Sequence, residues 1–254
     1  MPEHLSGKTA LVTGASRGIG AATAIAVARA GASRVLIHYG SYRQGAEETL
    51  ALVEGAGAAA DLIAGDLGTS AGIQAFTVDL KQNAPGIDIL INNAGSLVQR
   101  AKLAEYTEEL FDRVMNLNTK SVYFITQAVA PYMIAKGSGI VVNVSSIAAR
   151  NGGGPGATIY AAAKAAVSSI TKGLAKELAP KGIRVNAVSP GTVDNHFHEV
   201  FSNKQILDNV VAQTPAGTLG TNEEVADTIL FLCSDAARYI HGQTIEINGG
   251  MFMV

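Results

Sequence analysis

Lys8-Thr9-Ala10-Leu11-Val12-Thr13-Gly14-Ala15-Ser16-Arg17-Gly18-Ile19-Gly20 decides the fold. Lys8 to Thr13 reads as a strand, and Gly18 to Ala30 as a helix that ends before Gly31. Between them Gly14, Gly18 and Gly20 allow a tight turn and let the backbone approach a ligand. A helix that starts directly after such a turn offers N–H donors and a positive dipole end to an anion. The spacing is neither Gly-x-Gly-x-x-Gly nor a phosphate loop of the Gly-Lys-Ser/Thr kind.

The same alternation continues outward. Arg34 to Tyr39 reads as a second strand, and Ser41 and Gln44 have capping-box spacing for a helix to about Glu54. Strands are expected at Asp61 to Gly65 and Ile87 to Asn92, with a helix from Ser70 to Asn83 between them. A long helical region covers about Thr107 to Lys136, and Pro131 predicts a kink or break in it. Gly139 to Ser145 reads as the fifth strand, followed by a Gly-rich loop. A helix through Tyr160 runs to Leu178, stopped by Pro180 and Gly182. Ile183 to Ser189 is a sixth strand, and residues about 192–214 read as irregular. Thr221 and Glu224 have capping-box spacing before a helix to about Ser234, and Gln243 to Ile247 is the last strand. Ile140-Val141-Val142-Asn143-Val144 is apolar on both faces, as in a buried parallel sheet. Residues 1–254 therefore predict an α/β fold, a single domain with a doubly wound parallel sheet of about seven strands and helices on both faces. Ligands of such sheets bind at the carboxyl ends of the strands.

Composition narrows the function. With 254 residues, 48% of them apolar, the chain suffices for one large domain. A net charge of -2 argues for neither nucleic acid nor an anionic membrane surface. The lone Cys233 excludes an internal disulfide and suits a reducing, cytoplasmic setting. Met1 to Lys8 shows no apolar signal core, and no apolar run approaches a membrane span.

Tyr160-Ala161-Ala162-Ala163-Lys164 puts a phenol and an ammonium one helical turn apart. A lysine held near a tyrosine favours the phenolate and lowers the phenol pKa from about 10. Such a group can protonate a carbonyl oxygen near neutral pH. In isolation the pair is an ordinary feature of an amphipathic helix.

The ordered set changes that. Thr13-Gly14-x-x-x-Gly18-x-Gly20, Asn92-Asn93-Ala94-Gly95, Ser146, Tyr160-x-x-x-Lys164 and Pro190-Gly191, with the ending Gly242-Gln243-Thr244 to Asn248-Gly249-Gly250, resemble the short-chain dehydrogenase/reductase family from Gly7 to Gly250. Within it the chain is most similar to the β-ketoacyl-acyl-carrier-protein reductase-like branch. The resemblance implies a Rossmann-type fold, a carbonyl/alcohol oxidoreductase and a small-molecule substrate. It also implies a homotetramer, with helices around Phe111–Lys136 and Tyr160–Leu178 at one interface and Met251–Val254 near another. A sugar, polyol or steroid dehydrogenase, and a catalytically silent nucleotide sensor, are the alternatives.

Roles follow from that resemblance. Tyr160 is the proton donor or acceptor, and Lys164 tunes it and holds the nicotinamide ribose. Ser146 binds the substrate oxygen, with Ser145 as its competitor on the other face of the strand. Asn118 holds a water that links Lys164 to solvent, with Asn116 as its competitor. The cofactor is expected to touch Gly14, Ser16, Arg17, Gly18, Ile19, Gly20, Tyr39, Ser41, Arg43, Asp66, Leu67, Asn93, Ala94, Gly95, Tyr160, Lys164, Pro190, Gly191 and Val193. An acidic residue at the end of the second strand would bind a ribose 2′-hydroxyl, but His38-Tyr39-Gly40-Ser41-Tyr42-Arg43 has no carboxylate. Arg17, with Arg43 and Ser41, could instead pair with a 2′-phosphate, so NADP(H) is preferred and NAD(H) is possible.

The loop Arg150 to Ile159 is longer than in many members of the family. Asn195 stands where threonine is common near the nicotinamide amide. His196 and His198 alone are two ligands, a poor metal site, so no metal is expected. Residues about 192–214 are expected to form a substrate lid, with Phe197 and Phe201 as apolar contacts.

Overall fold

Alternate residues of the first strand face opposite ways and fill two separate cores. The structure, a computed structural model, describes residues 4–253. The readings at Met1–Glu3 and Val254 lie outside the described residues. β1 (Thr9–Val12) sends Ala10 and Val12 into a core with Val27, Val35, Ile37, Val188 and Ile229. Leu11 points the other way, into a core with Leu36, Phe76, Leu90, Ile125, Met133 and Leu178. Burial on both faces is the condition for an all-parallel sheet, and β1 has it because helices cover both sides.

The strands β2 (Arg34–Tyr39), β3 (Ala59–Ala64), β4 (Ile89–Asn92), β5 (Gly139–Val144), β6 (Ile183–Pro190) and β7 (Thr244–Ile247) complete the sheet. Their order is β3-β2-β1-β4-β5-β6-β7, and every pairing is parallel. The order reverses between β1 and β4, which opens a crevice at their carboxyl ends. α1 (Gly18–Arg29), α2 (Arg43–Gly55) and α10 (Asn222–Cys233) pack on one face. α3 (Ser70–Asn83), α4 (Glu108–Met115), α5 (Ser121–Lys136) and α7 (Thr158–Leu178) pack on the other. The expected doubly wound α/β fold is the observed one.

Local departures have physical reasons. Ser41 and Gln44 form no capping box, for α2 starts at Arg43 with Tyr42 in the cap position and no side-chain cap. Thr221 and Glu224 do form one. α5 runs straight through Pro131, which is exposed along with Gln127, so water can satisfy the carbonyl that proline leaves free. The interruption comes earlier, as a π-turn over Asn116–Lys120 between α4 and α5. The stretch 192–214 is helical rather than irregular. It contains α8 (His196–Phe201) and α9 (Lys204–Gln213), capped by the side chains of Asn195 and Asn203. A short α6 (Ala148–Asn151) starts the loop after β5.

Candidate active site

The carboxyl ends of the strands open into a cleft of about 1020 Å³. One end of it is built by the first turn. Gly14 has φ +64° and Gly18 φ +59°, conformations open to glycine. A Cβ on Gly14 would stand 2.8 Å from the Ala94 Cα, and one on Gly20 2.3 Å from the Gly14 carbonyl. Thr13 Oγ1 accepts from the Asn93 and Ala94 N–H groups at 2.9 and 3.0 Å, and Asn93 Nδ2 donates to the Thr13 and Gly14 carbonyls. α1 has no side-chain cap and no acid in its first turn, whereas α3, α4, α8, α9 and α10 are all capped by side chains. The amide donors of α1 are thus left facing the cleft, which fits a pyrophosphate.

His38 is a member of this end that the sequence reading passed over. The Gly14 N–H can only donate, so His38 Nδ1 accepts it, at 3.0 Å. Nε2 then carries the proton and donates to the Gly65 carbonyl at 3.1 Å. Burial pushes the ring pKa down to about 4, against a smaller upward pull from Gly65. A neutral imidazole therefore ties the glycine turn to the ends of β2 and β3.

Beside it, the Arg17 guanidinium lies 4.0 Å from the centre of the Tyr42 ring. Arg17, Ser41 and Tyr42 line the cleft; Tyr39 and Arg43 do not. Tyr39 is buried in the core, and Arg43 points outward to Glu47 at 2.8 Å. Neither of these two expected contacts therefore borders the cleft, whereas Tyr42, absent from the expected set, does. Asp66 lines the cleft, but as a turn residue: its Oδ1 accepts from the Gly68 N–H at 2.9 Å and faces Arg113 at 3.6 Å, while Thr69 caps α3. Gly14, Ser16, Gly18, Ile19, Gly20, Leu67, Asn93, Ala94, Gly95, Pro190, Gly191 and Val193 line the cleft.

The chemistry-bearing side chains meet at the end of β5. Ser146 faces the cleft and hydrogen-bonds with Tyr160. Ser145 turns inward, to the Lys164 carbonyl and Ser168 Oγ, both at 2.9 Å. Of the two adjacent serines, Ser146 is thus the one whose hydroxyl is free of the Lys164 and Ser168 contacts. Lys164 Nζ donates to the Val144 carbonyl at 2.8 Å and lies 5.8 Å from the Tyr160 ring centre. Asn118 is fully buried in the π-turn. Its Oδ1 accepts from Ser96 N–H at 3.1 Å, and its Nδ2 donates to Ser96 and Val114 carbonyls, each at 2.8 Å. Asn116 instead reaches back to the Gly68 carbonyl. Gly95 separates Asn118 from Lys164: a Cβ there would sit 2.8 Å from both Asn118 Oδ1 and Lys164 Nζ.

The pKa expectation needs correction. Burial pushes Tyr160 up to about 12, with the Ser146 hydrogen bond pulling the other way, and pushes Lys164 down to about 8. Desolvation disfavours both charged forms and outweighs their mutual attraction. The phenol is held protonated.

The family model described as enoyl-(acyl carrier protein) reductase matches residues 14–252. The chain belongs to the short-chain dehydrogenase/reductase family. Among family relatives, the 3-oxoacyl-[acyl-carrier-protein] reductase FabG of Thermotoga maritima is 40% identical and covers 98% of this chain and 99% of its own. A gluconate 5-dehydrogenase from Burkholderia cenocepacia J2315, solved with NADP and tartrate, is 32% identical with a TM-score of 0.88, covering 98% and 96% of the two chains. An NADH-dependent reductase A1-R′ responsible for alginate metabolism is 35% identical with a TM-score of 0.85, covering 99% and 100%.

Where family members often carry threonine, Asn195 caps α8 through Oδ1 to the Phe197 N–H and donates to Asn222 Oδ1, both at 3.1 Å. His196 and His198 diverge, to Glu199 and Ser202 respectively. Phe197 packs between Tyr160 (5.8 Å) and Phe201 (4.9 Å) as a wall of the cleft.

Proposed function

We propose that this protein is an NADPH-dependent reductase of a ketone, working reversibly on the secondary alcohol. The meeting of Ser146, Tyr160 and Lys164 beside an uncapped helix N-terminus carries this reading. NADPH supplies the hydride. Tyr160 gives its proton to the carbonyl oxygen, and a phenol held near 12 is in the form that reduction consumes. Ser146 hydrogen-bonds the same oxygen as charge develops. Lys164 restrains the ribose and stands behind Tyr160, and Asn118 shapes the backbone under it. Arg17, held against Tyr42 next to Ser41, receives the 2′-phosphate, in keeping with the NADP of the Burkholderia relative.

Helices α8 and α9 form the substrate lid. The exposed apolar side chains Phe111, Tyr123, Phe124, Tyr132 and Ile134 on α4 and α5 support a homotetramer, tested by sedimentation. Among the described residues no helix is long and apolar enough to cross a membrane, and a cytoplasmic setting accords with the lone, buried Cys233.

The deciding experiment is Tyr160→Phe. Nucleotide binding, followed by fluorescence, should survive while turnover falls about 10²- to 10⁴-fold; unchanged turnover would remove Tyr160 from the mechanism. NADPH oxidation with an acetoacetyl thioester, beside NADH and a panel of ketones, separates the 3-oxoacyl reading suggested by the FabG relatives from the hydroxy-acid reading suggested by the gluconate dehydrogenase.

A further inference from the structure

Val98-Gln99-Arg100 follows β4 at the mouth of the cleft, and Val98 is the one non-glycine residue with positive φ, +63°, among the described residues. The Gln99 N–H donates to the Leu97 carbonyl at 2.7 Å, closing a γ-turn of the rare left-handed sense around a β-branched residue. Ser96 Oγ accepts from the Val98 N–H at 2.9 Å, and Leu97 is buried below, so the turn is pinned from both sides. Strain of this kind persists only where surrounding structure over-determines it, and it collects at ligand sites. Its consequence is the direction of the next side chain. Arg100 spans the cleft mouth, Nη1 donating to the Pro155 carbonyl at 2.7 Å and Nη2 to the Phe201 carbonyl at 3.0 Å.

Both partners are neutral. A guanidinium carries five N–H donors, so donors and the full charge remain uncommitted. Asp66 is the one carboxylate lining the cleft among the described residues, and it sits at the nucleotide end against Arg113. Arg17 is stacked on Tyr42 at that same end, and Lys164 lies beneath Tyr160. Near the mouth, Glu199 is engaged with His196, and Asp194 acts on His198 in opposition to Arg100. Burial and the Arg100 charge both keep His198 toward its neutral form. Among the described residues Arg100 is therefore a cation of the substrate end that makes no salt bridge, with Asp194 the carboxylate nearest in influence, acting against it on His198. The wall Tyr160–Phe197–Phe201 leads from the proton donor to it, and the Phe201 carbonyl holds it.

We propose that Arg100 binds a carboxylate at the far end of the substrate, so that the substrate is a short keto acid and its product a hydroxy acid. A carboxylate meets a guanidinium through paired, charge-assisted hydrogen bonds. A neutral acyl chain would leave that exposed guanidinium to the two carbonyls and water, and would gain nothing from it. The proposal rests on the reductase reading of the same cleft.

The test uses the full chain, with Arg100→Gln and Arg100→Lys, and two readouts. Calorimetry on the NADP⁺-saturated protein compares tartrate with its diamide. NADPH turnover compares 5-ketogluconate with its amide. Wild type should favour each acid over its amide by about 10- to 100-fold, carried in Kd and KM. Arg100→Gln should abolish the preference and Arg100→Lys should keep part of it, since charge stays but the fork is lost. Equal treatment of acid and amide by wild type, or an equal loss for both in Arg100→Gln, would reduce Arg100 to a strap between loop and lid and overturn the proposal. Turnover confined to neutral ketones would overturn it and leave the reductase reading standing. Tartrate preference without turnover of any ketone would sink the reductase reading and retain Arg100 as a carboxylate site.

Discussion

Lowering the pH should loosen the glycine turn through a single imidazole. His38 is 2% exposed, its ring packed against Phe76 at 4.6 Å, and its pKa is about 4 against an ordinary 6.5. The sign follows from which state binds the proton. Below 6.5 the unfolded chain protonates His38 and the folded chain does not, so stability falls as pH drops and levels off near 4. Each pKa unit is worth about 1.4 kcal/mol, so this histidine removes roughly 3 kcal/mol over the whole window and about 2 kcal/mol between about pH 7 and pH 5. His38→Gln isolates the effect. A glutamine amide can accept from the Gly14 N–H and donate to the Gly65 carbonyl, yet has no proton to gain. Urea unfolding of both proteins across that window gives two curves of stability against pH. They should converge by about 2 kcal/mol toward acid, with wild type the steeper. Parallel curves would refute the assigned tautomer and burial together, for then His38 would titrate alike in both states.

Two further outcomes follow from the cleft. Arg17→Glu should raise the KM for NADPH about 100-fold while leaving that for NADH within a few-fold, since a carboxylate repels a 2′-phosphate and accepts from a 2′-hydroxyl; an equal rise for both nucleotides would show that Arg17 reads something common to them. Gly95→Ala places a methyl 2.8 Å from Asn118 Oδ1 and Lys164 Nζ, so one of the two must move. The expected result is a kcat loss of about 10²-fold with an unaltered circular dichroism spectrum, and full activity would show that the gap between those side chains has no part in turnover.

The sheet was legible because its physics is local. Strands buried on both faces read as apolar runs, and β2 at Arg34–Tyr39 and α3 at Ser70–Asn83 have the expected ends. Where the reading failed, a usable local signal was sometimes present. Asn195 and Asn203 each precede a short helical run, and asparagine is a strong N-cap, so α8 and α9 could have been found inside 192–214. Arg43 stands four residues before Glu47, the spacing of a helical ion pair, which argued for an outward-facing side chain. Pro131 misled because a proline breaks a helix only where its missing hydrogen bond cannot be replaced, and here both ends of that gap face water.

The rest of the site is non-local and leaves no periodic trace. Asn118 interrupts α4–α5 through carbonyls supplied partly by Ser96, 22 residues away in sequence. His38 reads as one more residue of β2, and its role exists only because Gly14 lies 24 residues before it and Gly65 27 residues after. Arg100 reads as a surface charge until Phe201, 101 residues on, is brought to its guanidinium. The proton-transfer residues sit on one strand end and one helix, where spacing and strand ends carry information. The residues that tune and select are held by carbonyls from distant loops, and a carbonyl is present at every position whatever the side chain. Specificity in this fold is therefore encoded in which loops meet, and motif spacing alone is silent about that.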